Sequence, residues 1–422
     1  MTGDWQSADF WITLCKFTPL LLFLTAILPC LAALGRYVTP DEPSWVFRSL
    51  RFREALLAAA WANTLQSGHP GVTTIWLGSL AIQLQLWLEP ASRSHLDWIN
   101  KLYWLAPDNG EAIRHLAHFL NPARLSVILV TSLGVVAIFL LARDRIGPVI
   151  ALIGAFLLAL DPFLVGLSGL LHLDALLATF MVVTVLLLMP RNDPNREPDS
   201  QNTLPVKKRY WIIAGVTTAL AILTKSPGLF LLLVVPAIRL WQMVRIEKKF
   251  NPWYQAIGLW AISMGVVLLL LLPAIWADPR NTFATVSGLT ERLLVDAVRP
   301  TYFLGESTLR PGFTFYPLAV LYRLSPVVTL GLILALVGLV YRIIRKSVAS
   351  IPVTVWWIIS FSLAFTLFLN FSAKRFDRYA LPAVYALILL AGWGLATLLQ
   401  HHRNYDRRKL PSLFLFLIIT LA

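Results

Sequence analysis

Residues 148–190 read PVIALIGAFLLALDPFLVGLSGLLHLDALLATFMVVTVLLLMP, an apolar stretch whose charged residues are Asp161 and Asp174 alone. A helix needs about 20 mainly apolar residues to cross the hydrocarbon core of a bilayer. The stretch is therefore long enough for two membrane spans, which we predict over residues 148–167 and 172–190. An uncharged hairpin joins them. Two such spans in series predict a polytopic membrane protein.

The composition of the whole chain agrees with this prediction. Of its 422 residues, 57% are hydrophobic and 14% are charged, whereas a soluble chain carries about 25% charged residues. The mean hydropathy is +0.69. Sixteen Trp and 26 Pro also fit, because Trp favours membrane interfaces and Pro is tolerated in spanning helices. The predicted fold class is all-α, and a soluble enzyme, a coiled coil and a disordered chain are excluded.

Ten apolar runs in the sequence are predicted to span the membrane. They cover residues 17–35, 123–142, 148–167, 172–190, 210–224, 227–243, 254–274, 325–343, 352–371 and 379–399. An eleventh run opens at residue 411 and stops at residue 422, which is too short to cross a bilayer. We therefore expect about 11 transmembrane helices in a single domain over residues 1–422, with a chain that is truncated at its C-terminus.

Lys and Arg residues are concentrated in alternate loops, as the positive-inside rule requires of cytoplasmic loops. This pattern places the N-terminus inside and the long segments 36–122 and 277–324 outside the cytoplasm. In the first of these segments, the Trp-containing residues 44–62 and 72–88 are predicted to form interfacial helices. The net charge of +14 is accounted for by the cytoplasmic loops, so no nucleic-acid partner is predicted.

An acid pair follows the first span directly, in Thr39-Pro40-Asp41-Glu42-Pro43. The flanking prolines restrict the backbone there. An acid at the membrane rim is partly desolvated, which raises its pKa towards the range of a general base. Two adjacent carboxylates cannot both point the same way, so we expect one to face a cavity and the other to pair elsewhere. The alternative is a solvated helix exit.

Two further charged residues lie at the predicted outer ends of spans. Asp174 opens the fourth span in Leu171-His172-Leu173-Asp174, and carboxylates in or near spans are costly and usually functional. Its alternative role is a helix N-cap. Lys225 is the lone cation of the outside hairpin Thr224-Lys225-Ser226-Pro227-Gly228. An anionic ligand would explain it, and a snorkelling membrane anchor is the alternative.

Three cations crowd a short outside loop, Lys374-Arg375-Phe376-Asp377-Arg378-Tyr379. Arg forms bidentate hydrogen bonds with phosphate, so this loop is a candidate site for an anion. The alternative is internal pairing with Asp377, which can neutralise one charge only.

Two other positions remain open between a functional and a structural role. Arg124 at the start of the second span is either a ligand-binding cation or an interface anchor. His69, in the turn Ser67-Gly68-His69-Pro70-Gly71, is either a ligand, a base or a turn residue. His69 and His172 are candidates for contact with a substrate or a metal ion, while Glu306 is interpreted as a loop acid.

The ordered set of motifs resembles the GT-C superfamily of integral membrane glycosyltransferases over about residues 17–400. The set comprises the acid pair after span 1, the long outside loop, the acid that opens span 4, Lys225 and the Arg378-Tyr379 element. The protein O-mannosyltransferases and the lipid A aminoarabinose transferases are the nearest groups. No Walker A, G-x-G-x-x-G or H-E-x-x-H motif occurs in the sequence.

The resemblance implies a role for each matching residue. Asp41 corresponds to the general base, Glu42 to its partner in the acid pair, and Asp174 to the second acid, which orients the acceptor or the base. The residues that correspond to donor phosphate ligands are Lys225, Arg378, Tyr379 and Arg124. His69-Pro70-Gly71 departs from the Lys-Pro-Pro of the aminoarabinose transferases, which weakens any assignment of the sugar.

The resemblance also implies the reaction. A sugar would pass, with inversion, from a polyprenyl-phosphate donor in the membrane to an acceptor hydroxyl of a protein, lipid or glycan. The active site would face the extracytoplasmic side of the cell membrane. No cofactor is implied, and a divalent cation is left open. The alternatives are a lipid or glycan transporter (a flippase) and a ligase of lipid-linked glycans, although transporters commonly carry internal repeats and the sequence shows none.

Overall fold

The computed structural model describes residues 8–68, 70–192, 203–204, 206–247, 251–295, 300–309, 311–348 and 351–403. His69 and the apolar run from residue 411 lie outside these ranges. The described residues are almost entirely helical, with two short antiparallel hairpins. The predicted all-α class is therefore confirmed.

The first half of the chain alternates long apolar helices with shorter helices of the first outside segment. Its α-helices are α1 (Ala8–Ala32), α2 (Glu42–Leu57), α3 (Val72–Leu88), α4 (Arg93–Ile99), α5 (Gly110–Ala117), α6 (Leu120–Ile146), α7 (Pro148–Leu160), α8 (Pro162–Ser168), α9 (Asp174–Leu188) and α10 (Lys208–Thr224). A small hairpin pairs β1 (Arg191–Asn192) with β2 (Thr203–Leu204) between α9 and α10.

The second half continues in the same style. Its α-helices are α11 (Leu231–Gln242), α12 (Asn251–Leu271), α13 (Ala274–Ala277), α14 (Pro279–Val295), α15 (Phe315–Arg323), α16 (Pro326–Ile344), α17 (Val353–Leu369) and α18 (Leu381–Arg403). A hairpin of β3 (Thr301–Phe303) and β4 (Glu306–Thr308) lies in the second predicted outside segment. Short 3-10 turns over Ser226–Phe230 and Asp377–Ala380 precede α11 and α18.

Each of the ten predicted spans coincides with a helix or a pair of helices. Among the described residues, five helices are long and apolar enough to cross a membrane, or six when the bent pair α7 and α8 counts as one. Four further apolar helices are shorter, including α9 and α17. The structure thus has the helices of a polytopic membrane protein, while the number 11 stays a prediction.

The span predicted over residues 148–167 is broken. Helices α7 and α8 meet at an angle of 62°. The break falls at Asp161, whose backbone is extended and whose carboxylate accepts hydrogen bonds from the amides of Phe163 and Leu164. Pro162 then starts α8 at the position where a proline is tolerated. An N-cap followed by proline begins a new helix here, which a hydropathy window does not detect.

The segment 36–122, which is predicted to lie outside, packs on the end of α6. Residues 44–62 and 72–88 are largely helical, as predicted, although α2 already ends at Leu57. Helix α2 packs on α3, and α3 packs on α6. Trp45, Phe52 and Ile75 fill the apolar core between these helices. This packing fixes the start of α2, and with it the acid pair, against the membrane helices.

Helix α18 lies at the centre of the membrane bundle, against α7, α16, α17 and α9. Small residues allow the close approach: a Cβ atom at Gly392 would lie 2.9 Å from the amide nitrogen of Gly154. Small residues at helix interfaces are characteristic of membrane bundles, because packing replaces the hydrophobic effect there. The loop that carries Arg378 and Tyr379 leads directly into this helix, so the bundle fixes its position.

Candidate active site

Four of the predicted residues meet at one end of the bundle. Asp41 lies between α1 and α2, Asp174 is the first residue of α9, Lys225 follows α10, and Arg378 precedes α18. Their side chains form a continuous network of ion pairs. The fold thus brings these four residues together from widely separated parts of the sequence.

Asp174 is the buried centre of this network. Its Oδ1 lies 2.5 Å from Nζ of Lys225. Its Oδ2 lies 3.1 Å from Nδ1 of His172 and 3.4 Å from Nε of Arg378. The side chains of Asp174 and Lys225 are 2% and 6% exposed, and a buried charge is tolerated only when it is paired. The pairing therefore accounts for both residues without an external ligand.

Asp41 is the accessible acid of the network. Its side chain is 52% exposed, and its Oδ2 lies 3.1 Å from Nη2 of Arg378 and 3.4 Å from Nε2 of His172. The imidazole of His172 and the guanidinium of Arg378 hold the pKa of Asp41 well below its usual range, against the opposite effect of partial burial. The raised pKa expected from rim desolvation is therefore wrong for this arrangement, because two cationic neighbours outweigh the loss of water.

His172 bridges the two acids. Its two ring nitrogens face different carboxylates, Nδ1 towards Asp174 and Nε2 towards Asp41. A neutral imidazole carries one donor and one acceptor, whereas an imidazolium carries two donors. Only the charged form can serve both carboxylates as a donor. The ring thus links the accessible acid to the buried one.

The aromatic ring of Tyr379 supports Lys225. The Nζ atom of Lys225 lies 3.8 Å from the centroid of this ring, a distance at which a cation and a π face attract. Thr224, directly before it, is held by a hydroxyl contact of 2.7 Å with Thr73 of α3. Lys225 is thus fixed from two sides, by Tyr379 in the turn before α18 and by α3 through Thr224.

Glu42 and Arg124 form a second, fully buried pair. Arg124 donates to both carboxylate oxygens of Glu42, with Nε–Oε1 and Nη2–Oε2 distances of 2.7 and 2.6 Å. The amides of Thr39 and Leu171 also donate to this carboxylate. The expectation that one acid of the pair faces the site while the other pairs elsewhere is confirmed. Asp41 faces the network, and Glu42 ties α2 to α6.

The structure corrects the role implied for Arg124. Its side chain is 1% exposed, and its guanidinium also donates to the carbonyl oxygen of Tyr37. With two carboxylate oxygens and a carbonyl as acceptors, it has no free edge for a phosphate. The catalytic role implied for Glu42 is corrected for the same reason, since its side chain is 0% exposed.

Asp377 does not neutralise Arg378 through its side chain. The carboxylate of Asp377 binds Nε of Arg323 at 2.6 Å and accepts a hydrogen bond from the backbone amide of Arg378. The guanidinium of Arg378 turns instead towards Asp41 and Asp174, with its Cζ 5.1 Å from the ring centroid of Phe376. Side-chain pairing of Asp377 with Arg378 is therefore excluded.

A cavity of about 510 Å³ lies beside the network. Strand β3 with its turn, helix α15 and residues 375–377 form its walls, which are mainly apolar and include the aromatic residues Tyr302, Phe303, Phe315 and Phe376. Arg323 and Asp377 add charged groups. This size and lining are typical of pockets for organic ligands. Phe376 and Asp377 of its wall directly precede Arg378 in the sequence.

One charged residue near the site was not singled out from the sequence. Arg48 on α2 stacks on Trp45, with its Cζ 4.6 Å from the ring centroid. Asp41, Trp45 and Arg48 are spaced i, i+4 and i+7, so they lie on one face of the helix. This spacing is visible in the sequence and could have identified Arg48 once α2 was predicted as a helix.

No metal site is evident in the ranges that the structure describes. Within them, no group of three or more His, Cys, Asp and Glu side chains is arranged to hold a metal ion. The involvement of a divalent cation therefore stays a prediction. For His69, which lies outside the described residues, contact with a substrate or metal also stays a prediction.

Comparison with known proteins supports the GT-C interpretation. The sequence model of the dolichyl-phosphate-mannose-protein mannosyltransferase family matches residues 97–283. The fold is similar to that of ArnT from Cupriavidus metallidurans, solved with undecaprenyl phosphate, with a TM-score of 0.56 and 16% identity over 92% of this chain and 61% of that one. It is also similar to the oligosaccharyltransferase AglB from Archaeoglobus fulgidus, solved with an inhibitory peptide and a dolichol-phosphate, with a TM-score of 0.54 and 15% identity over 94% of this chain and 52% of that one.

The structural matches show the fold of the chain. The predicted resemblance to the GT-C membrane glycosyltransferases is confirmed, and the chain has the GT-C fold. It spans between half and two thirds of the length of the two solved chains. No curated protein matches the chain at a significant level.

The low pKa of Asp41 leads to a prediction about pH. Its carboxylate should stay ionised well below its unfolded pKa of about 3.9, so Asp41 should produce no loss of kcat/KM on its own account between pH 5 and 8. Any stability that the ionised form contributes should be present above that unfolded pKa and lost only as the pH falls through the lower folded pKa. The pH profile of sugar transfer by the wild type is the measurement. An acid limb that vanishes when Asp41 is replaced by Glu would contradict the assignment.

Proposed function

We propose that the protein is a membrane glycosyltransferase that moves a sugar from a polyprenyl-phosphate donor to an acceptor hydroxyl, with inversion. One observation carries the proposal. A half-exposed acid, Asp41, contacts the cation Arg378, which also lies 3.4 Å from Asp174, the buried partner of Lys225; the four residues come from the ends of four helices. This combination supplies a base for a hydroxyl and positive charge for a phosphate leaving group, where a lipid-linked donor can reach both.

The proposed reaction is a single displacement. Asp41 takes the proton of the acceptor hydroxyl, the oxygen bonds to the anomeric carbon, and the bond from that carbon to the phosphate oxygen breaks. The leaving phosphate gains negative charge, which preorganised cations stabilise most strongly in a site with little water. Arg378 is the exposed cation of the network, with a side chain that is 27% exposed, and is proposed to contact this phosphate. Lys225 acts from the buried side.

Asp41 and the donor phosphate are proposed to compete for Arg378. This competition connects phosphate binding by Arg378 with the role of Asp41 as a base. Arg378 contacts Asp41 at 3.1 Å, and a phosphate that binds the same guanidinium would weaken this contact. The pKa of Asp41 would then rise, because a cation that lowered it has turned to another anion. Donor binding is thus proposed to convert Asp41 from a paired carboxylate into a stronger base. Asp174 keeps Lys225 and His172 in place during this exchange.

The aromatic cavity is the proposed site of the acceptor. Its wall residues Phe376 and Asp377 directly precede Arg378 in sequence, so a molecule bound there lies next to the reacting groups. The structures of AglB and ArnT were solved with a peptide and with a polyprenyl phosphate. We take these ligands as the chemical classes to try first for acceptor and donor.

The experiment that tests the function is a transfer assay with purified protein. Polyprenyl-monophosphate donors that carry mannose, aminoarabinose or glucose are incubated with Ser/Thr peptides, with lipid A or with oligosaccharides. Formation of free polyprenyl phosphate together with a glycosylated acceptor of inverted configuration supports the proposal. The donor alone, with no acceptor, is the control for hydrolysis. If the protein moves intact donor across vesicle membranes and transfers no sugar, a transporter replaces the proposed enzyme.

The proposed outside location of the site predicts a labelling pattern. In a variant without its native cysteines, Ser94→Cys should react with a membrane-impermeant maleimide added to intact cells, because the 36–122 segment is predicted to lie outside. Ser200→Cys should react only after the cells are opened. Labelling of Ser200→Cys in intact cells would reverse the topology, and the active site would then face the cytoplasm.

A further inference from the structure

Arg48 is a partly exposed cation that forms no ion pair or hydrogen bond with a carboxylate in the part of the chain that the structure describes, although Asp41 lies near enough to act on its charge. Its guanidinium makes a stacking contact with Trp45. The next arginines on α2 are occupied: Arg51 binds Glu54, and Arg53 donates to Gln83 at 2.6 Å. Arg48 alone among the three keeps its donors for another acceptor.

Helix geometry directs Arg48 to the active-site side of α2. Asp41 is the N-cap of this helix, and Arg48 follows seven residues later, which is nearly two full turns. Arg48 therefore lies on the same face as Asp41, about 10 Å further along the helix axis. This distance allows a single substrate to contact both Asp41 and Arg48.

Trp45 connects this face to the buried part of the site. Its ring lies so close to Gly71 that a Cβ atom there would collide with it. The amide of Gly71 donates to the carbonyl oxygen of Thr224 at 3.1 Å, next to Lys225. The indole that carries the guanidinium of Arg48 is thus packed on the same loop that meets Lys225, and its side chain is buried.

The cations of the central network are already engaged. Lys225 contacts Asp174, Arg378 contacts Asp41, and His172 lies against both carboxylates. A phosphate that enters such a network must break an existing pair. Among the described residues, no carboxylate lies at ion-pair distance from Arg48, whose guanidinium stacks on Trp45.

We propose that Arg48, held on the indole of Trp45, binds a phosphate group of a substrate at a subsite along α2 from Asp41. This inference rests on the proposed function. The phosphate belongs either to the polyprenyl donor or to a phosphorylated acceptor, since the same guanidinium fork recognises both. Arg48 is a binding residue and takes no part in proton transfer.

The test compares three variants of α2 in equilibrium binding. Undecaprenyl monophosphate is titrated into wild type, Arg48→Ala, Arg48→Lys and the control Arg53→Ala, with undecaprenol as the uncharged reference. Loss of a charge-assisted hydrogen bond should weaken binding of the phosphate about 10- to 100-fold in Arg48→Ala, with undecaprenol unaffected. Arg48→Lys should fall between, because it keeps the charge and loses the fork. Arg53→Ala should bind like the wild type.

A second titration separates the two sources of phosphate. Lipid A is compared with its dephosphorylated form on the same proteins. A loss in Arg48→Ala that is confined to phosphorylated lipid A assigns the subsite to the acceptor, and a loss confined to undecaprenyl monophosphate assigns it to the donor. Equal affinities of wild type and Arg48→Ala for both ligands overturn the inference.

Failure of the proposed function has a different signature. It would appear as a wild type that binds undecaprenyl monophosphate no better than undecaprenol and transfers no sugar. The inference about Arg48 would fall with it. If Arg48→Ala also loses affinity for undecaprenol, its fold around Trp45 is disturbed. The binding of undecaprenyl monophosphate by Arg48→Lys, which retains the aliphatic part of the side chain and the charge, then tests the proposal. If Arg48→Lys binds the phosphate no better than Arg48→Ala, the proposal is overturned.

Discussion

Replacing Asp41 by Asn is expected to lower the rate of sugar transfer by about 10²–10⁴-fold, which is the usual contribution of a general base. Asn has nearly the same shape, and its amide oxygen can still face Arg378, so donor binding should change little. The loss should therefore appear in kcat rather than in KM. Single-turnover transfer kinetics and donor titration on the same preparation measure the two quantities.

The control for this variant is Asp144→Asn. Asp144 pairs with the neighbouring Arg143 near the C-terminal end of α6, where no site residue lies, and its replacement should leave transfer unchanged. Near-normal turnover of Asp41→Asn would remove Asp41 as the base. If Asp174→Asn were also near normal, the network would lack an acid for the reaction and the enzyme proposal would fail with it.

Removing one partner of the Glu42–Arg124 pair is expected to destabilise the fold by about 3–5 kcal/mol, because a buried charge is left without its partner. Glu42→Ala strands the guanidinium of Arg124, and Arg124→Ala strands the carboxylate. Replacing both, as in Glu42→Leu with Arg124→Met, should cost less than either single change. Equilibrium denaturation in detergent micelles measures the free energy of unfolding.

A surface pair on the same helix provides the comparison. Arg51 and Glu54 are also 2.8 Å apart, but their side chains are 27% and 29% exposed. Glu54→Ala should therefore cost less than about 1 kcal/mol. If Glu42→Ala and Glu54→Ala were equally mild, the bidentate pair would not anchor α2, and Glu42 would be free to act in the site as the sequence resemblance implied.

The positions of the membrane helices could be predicted from the sequence because their signal is local. About 20 apolar residues in series decide a span, and α6 and α16 follow their predicted runs closely. The break between α7 and α8 was missed, since it depends on two residues. Asp161 caps α8 and also accepts a hydrogen bond from the amide of Ser325 at 3.3 Å, a contact that no local window contains.

The sequence was sufficient to identify which residues belong to the candidate site, but not which of these residues pair with one another. Charges that violate the positive-inside pattern or sit at span ends identified Asp41, Asp174, Lys225 and Arg378. Their partners depend on tertiary packing. Arg124 is 82 residues from Glu42 in sequence, so nothing local distinguishes a structural ion pair from a phosphate ligand.

The lowering of the pKa of Asp41 also depends on tertiary packing. Rim desolvation raises a carboxyl pKa and can be anticipated from position alone. The opposing cations reach Asp41 from α9 and α18, through His172 and Arg378. Their effect is a property of the assembled bundle rather than of the Pro-bounded turn.

The contact between Arg378 and Asp41 joins residues that are 337 positions apart, and this separation has a consequence for biosynthesis. A ribosome releases the chain into the membrane from its N-terminus, so α1, α2 and the acid pair are inserted long before α18 emerges. Until then Asp41 lacks its guanidinium partner and Lys225 lacks the ring of Tyr379. A nascent chain arrested before α18 would be inserted in the bilayer without a complete candidate site, so the proposed sugar transfer could begin only after the last of these helices is inserted.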